Sequence, residues 1–256
     1  MAEDSEKDGA LSAIILLVLV ILVAGFSVKF GLQTLTWIEA KSWASENPWL
    51  ATVPLPLPAA PAAQKAPQVK AYDYEFNSPW PGNPKPVGSL TCTQFRYDTG
   101  QVIVFFDPES QVDTMLAIKS ASPTEYQKFA NVFADQPIDT NFQLYQAVYG
   151  AAPAQLSPLM DTRSALRVNA LLLWKLSFGF DLAADGQLYS FDWGKIRGFQ
   201  FGDPAKQRPI ALRVFDDRDH QFRFILTVAA GTSAKITQDD VDAIIQSIQP
   251  VPFIDR

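Results

Sequence analysis

"GQLYSFDWGKIRGFQFGDPAKQRPIALRVFDDRDHQFRFILTV" occupies residues 186–228 and decides the fold. Apolar residues alternate with polar ones in four short runs, as in strands buried on one face. In the first run Tyr189, Phe191 and Trp193 share a face. Turn chemistry separates the runs: Gly194-Lys195, Asp203-Pro204 and the charged tip "DDRD". Strands joined by such short turns pair antiparallel.

Upstream, "LTCTQFRY" and "QVIVFF" read as two more strands, joined by Asp98-Thr99-Gly100 as a hairpin loop. Helical patterns fill the interval. Ser122 with Pro123 and Glu125 forms a capping box. "DTNFQLYQAVYG" has Asp139 or Thr140 as cap and Gly150 as stop. "DTRSALRVNALLLWKLSFG", residues 161–179, is apolar around most of its girth, with Leu166, Ala170, Leu173 and Trp174 on one stripe. That pattern predicts a central helix packed from several sides. A last helix follows Thr237, with Asp239, Asp240 and Asp242 in its first turns, where the helix dipole favours negative charge. Two strands, several helices, about four strands and one helix predict a layered α+β domain of mainly antiparallel sheet over residues 87–256.

The other end of the chain is of a different kind. Residues 9–28 carry no charge, and Ile14–Val23 is entirely Ile, Leu and Val. As a helix, 20 residues cover about 30 Å, the thickness of the hydrocarbon core. The preceding tail, "MAEDSEKD", is acidic, unlike the basic start of a cleaved export signal. The reading is a single transmembrane helix with an interfacial extension over residues 9–45, behind an acidic tail at 1–8. Trp37 and Trp43 are the expected membrane-interface residues, since indole is apolar with one polar N–H. Ser27 and Gly31 are small residues one turn apart and would let a neighbouring helix approach.

Residues 46–86 are rich in Pro and Ala and read as a semi-rigid tether. Tail, anchor, tether and domain is a layout of bacterial proteins that face the periplasm, and it favours an extracytoplasmic domain. The lysines at 29 and 41 against one at 7 pull weakly the other way.

Motifs for chemistry are sparse. The chain has one His and one Cys, at 220 and 92, too few for a zinc site built on such ligands. "DDRDH" lacks the glycine and glutamate of an EF-hand loop. P-loop, dinucleotide and nucleophile-elbow patterns are absent. The chain has a net charge of −6 and no basic cluster, which argues against nucleic acid. "GFQFGDP" places Arg197, Phe199 and Phe201 beside two glycines, a candidate partner surface or bulge. No cofactor is expected. The leading expectation is a non-catalytic, membrane-anchored accessory or assembly protein whose partners are the lipid bilayer and another membrane protein. A tethered small-ligand or lipid-binding domain, with Tyr189, Phe191 and Trp193 lining the pocket, is the alternative. A carboxylate-based hydrolase stands third.

Overall fold

The computed structural model describes residues 35, 37–58, 67–178 and 187–251. The hydrophobic run at 9–28, Ser27 and Gly31 lie outside them. No helix among the described residues is long and apolar enough to cross a membrane.

The fold is mixed α+β around one large sheet. Its strands run in the order β1 (Leu55–Pro56), β7 (Leu188–Asp192), β8 (Arg197–Phe201), β9 (Ile210–Phe215), β10 (Gln221–Val228), β6 (Gln101–Phe106), β5 (Cys92–Arg96) and β4 (Lys85–Gly88). Every pairing is antiparallel except β1 with β7, which is parallel. A small sheet of β2 (Gln68–Ala71), β3 (Tyr74–Asn77) and β11 (Gln249–Pro250) is separate. Turn residues act as their chemistry requires: Gly100 has φ +103°, and its N–H donates to the Tyr97 carbonyl at 3.0 Å to close the β5–β6 hairpin.

The sheet separates two cores. On one face Leu188, Phe199, Phe201 and Phe215 meet a helical layer of α2 (Thr114–Lys119), α3 (Pro123–Val132), α4 (Asn141–Gly150) and α5 (Thr162–Phe178). On the other face Ile103, Phe105, Leu212, Val214, Phe222 and Phe224 meet α6 (Gln238–Gln246) and the small sheet. Phe76 of β3 enters this second core, its ring centre 5.5 to 5.9 Å from those of Phe95, Phe105 and Phe224. Such tilted ring pairs contribute beyond their buried area. The expected caps are in place: Ser122, Thr140 and Thr237 each accept from the backbone N–H three residues on.

Two expectations about architecture are corrected. The Pro-rich stretch is not free chain wherever it is described. Pro48–Ala51 forms one helical turn with Leu50 fully buried, and the Leu57 N–H extends the β1–β7 ladder to the Ser190 carbonyl at 2.8 Å. Residues 67–77 build the small sheet, and residues 85–88 form the far edge of the large one. Proline lacks the N–H that a central strand needs but suits an edge, so Pro56 and Pro86 stand in the two edge strands. Likewise α5 is buried along one face only. Ala165, Val168, Leu171, Leu172 and Lys175 point inward, while Leu166 and Leu173 are about half exposed. Its outward leucines resembled core residues because composition alone does not register which side a neighbour covers.

Residues 37–46 form helix α1. It is part of the domain and not an isolated stalk: Ala40 is fully buried in the helical-side core and Trp37 packs against the same core. Lys41 Nζ lies 4.0 Å above the Trp37 ring, a cation–π contact.

Candidate functional site

A cleft of about 320 Å³ opens where the β9–β10 hairpin meets the N-termini of α2 and α4. Asn141 is its buried hub. Its Oδ1 accepts from the Met115 N–H at 3.0 Å and its Nδ2 donates to Asp113 Oδ1 at 2.9 Å. Asp113 Oδ1 also accepts from the Leu116 N–H at 2.7 Å, which caps α2. Asp219 reaches in from the hairpin, in the left-handed region at φ +67°. Its two carboxylate oxygens accept from the N–H groups of Asn141, at 2.5 Å, and Phe142, at 3.0 Å. A carboxylate there also meets the positive end of the α4 dipole.

His220 lines the same cleft. Its Nδ1 is 2.9 Å from Asp216 Oδ2, while Asp216 Oδ1 accepts from the His220 N–H at 2.8 Å and the Arg218 N–H at 2.9 Å. An aspartate on Nδ1 fixes the ring and leaves Nε2 as the nitrogen available to a ligand. Tyr74 also lines the cleft. Burial raises its phenol above the ordinary value, and the Asp216, Asp73 and Glu109 carboxylates raise it further against the Arg218 guanidinium. The cleft is therefore electronegative. Among the described residues its lining holds no Ser, Thr or Cys, and two of its carboxylates are committed to helix caps. The arrangement can bind and orient a polar ligand and exchange a proton through His220. Among the described residues, no group of three or more His, Cys, Asp or Glu is placed to hold a metal.

Lys175 is a second feature that sequence reasoning missed. It is fully buried on the inner face of α5. Its Nζ donates to the carbonyls of Leu50 at 3.2 Å, Thr52 at 2.5 Å, Tyr149 at 3.0 Å and Ala151 at 2.7 Å. Burial pushes the ammonium down to about 8. One side chain thus joins the segment behind α1 to the end of α4. A lysine amid leucines was the available signal.

The residues expected from sequence are dispersed. Trp37 and Trp43 are both half-buried on α1. Phe199 and Phe201 are buried beneath α4, and Arg197 lays its guanidinium 4.5 Å above the Phe142 ring, so these three do not form an open partner surface. Gly198 between them marks no bulge, since the β8–β9 register is unbroken. It marks a close backbone approach: a Cβ there would collide with the Arg213 carbonyl. Phe191 and Trp193 belong to the core on the α6 side, with ring centres 4.7 Å apart, and do not line the cleft. Cys92 is half-buried at the β4–β5 hairpin, its Sγ 3.4 Å from Ser89 Oγ.

Comparison with protein-family models, with curated proteins and with solved structures gives no match.

Proposed function

We propose that this chain is a membrane-anchored, non-catalytic accessory or assembly protein. It is held by the 9–28 segment, with its domain on the extracytoplasmic side, and binds another membrane protein. The observation that carries this reading is the seating of residues 37–52 on the domain. Trp37, Ala40 and Leu50 pack into it and Lys175 grips the carbonyls of Leu50 and Thr52. Eight residues separate Val28 from Trp37, and even fully extended they reach at most about 30 Å. An anchored chain would therefore hold its domain close to the bilayer, where a membrane partner is met. Purification of the full chain in mild detergent at native expression tests this. Stoichiometric recovery of one membrane protein supports the reading, and a lone monomer contradicts it.

A second reading, a domain that takes a small polar ligand, is favoured by the volume and the His220–Asp216 pair of the cleft. His220 is the sole histidine, so its ring NMR signals report on the cleft without ambiguity. Saturable shifts on adding a panel of small amines, amides and sugars to the full chain support this reading. Unmoved signals across the panel remove it.

A further inference from the structure

Among the described residues the helical layer covers only half of its side of the large sheet. Its core takes sheet residues from β7, β8 and β9 and none from β10, β6, β5 or β4. The pairing registers place Val87, Gln94, Val104 and Ile225 in one row across those four strands, pointing to the helical side. Phe106 and Arg223 lie on the same side, with the guanidinium 5.0 Å above the ring. Val102 on the same side is buried beside its cross-strand partners Arg96 and Thr227, but no described residue packs the rest of the patch to core density. Val87 is 57% exposed, and Val104, Phe106 and Ile225 are half-buried. The strands pair in unbroken register, so the patch has the shallow twist of an ordinary sheet face. It is bounded on one side by a step one helix thick, about 10 Å.

The charge of the patch is the reverse of the chain's. Lys85 and Arg96 are cross-strand partners on this side and both are exposed. With Arg223 they give three cations and no carboxylate on the four strands' helical-side positions, in a chain of net charge −6.

We infer that this open half of the sheet is the docking surface for an acidic amphipathic helix of the partner protein, which extends the helical layer by one member. The inference rests on the accessory-protein reading and names the surface that reading requires. The depth of the step matches one helix. Apolar side chains at positions i, i+3, i+4 and i+7 would cover Val104, Phe106 and Ile225, and flanking Asp or Glu would meet Lys85 and Arg96. A bilayer is the less suitable occupant, because the helical layer beside the patch would hold a membrane surface away from it.

A photo-crosslinking amino acid in place of Ile225, in the full chain and in native membranes, tests this. The expected result is a crosslink whose sequenced peptide is acidic and apolar at helical spacing, with its yield lowered several-fold by Lys85→Glu with Arg96→Glu. Crosslinks to lipid, to a second copy, to another segment of this chain or to nothing overturn the inference. So does a yield indifferent to the charge reversal. Where a membrane protein still co-purifies in those cases, the accessory reading stands and only the surface is wrong. Where none does, both fall.

Discussion

Lys175 Nζ donates to the Ala151 carbonyl at 2.7 Å and, from the same nitrogen, to the Thr52 carbonyl at 2.5 Å, so that one ammonium bridges residues about a hundred positions apart. Three N–H donors are shared among four carbonyls. The contact decides that the segment behind α1 is part of the domain.

Lys175→Met keeps the aliphatic stem and removes the donors. Buried carbonyls without a partner cost about 1–3 kcal/mol each, and some will find water. The expected loss is about 3 kcal/mol, read as a lower denaturant midpoint. Proteolysis in the 48–58 stretch should quicken in the same variant. Unchanged midpoint and cleavage would show that the bridge is incidental.

The same residue predicts a pH dependence. Its folded pKa, about 8, lies below the ordinary lysine value of 10.5. Below pH 8 both folded and unfolded chains hold the proton, and the cost of burying the charge is present in full. Between 8 and 10.5 the unfolded chain binds more protons, so this residue's contribution to stability rises with pH. The stability difference between the native chain and Lys175→Met should widen in favour of the native chain across that window. A flat difference contradicts the shift.

Asp242 gives the opposite case. Burial raises its carboxyl, the neighbouring Asp239 adds to this, and the Gln238 hydrogen bond opposes it. A raised carboxyl contributes stability that is complete below its unfolded pKa and is lost as pH rises through the folded value. Asp242→Asn keeps an acceptor for Gln238 Nε2, now at 2.8 Å. It should raise the melting temperature at pH 7 and leave it unchanged near pH 3. Thermal scans at both values check it.

At Gly198 a side chain has no room. An alanine Cβ would collide with the Arg213 carbonyl and come within 2.9 Å of Phe191 Cζ and 3.0 Å of Val214 Cα. Gly198→Ala should cost about 2–3 kcal/mol, in the range of overpacked cores. Chemical denaturation of the variant measures this.

Local signals were legible in the sequence. Alternation placed β5 to β10, and side-chain caps placed α3, α4 and α6, because each depends on a few adjacent residues. What was not legible depends on distant partners. The two-residue β1 exists because Ser190 offers it a carbonyl. The small sheet exists because Phe76 has three rings to meet. In α5 the exposed Leu166 and the buried Leu172 are the same residue type, and only the elements packed on one side of the helix tell them apart. The cleft joins Asn141 to Asp219 across 78 positions, and neither residue carries a motif.

The seated domain is tested most directly by one distance. Spin labels at Ile38 and Leu173, both exposed, in the full chain with Cys92→Ser and reconstituted in lipid nanodiscs, report how α1 is held relative to the helical layer. A single narrow distance distribution is the predicted result. A broad one, of the kind a flexible spacer produces, or failure of the chain to enter the nanodisc, would contradict the account.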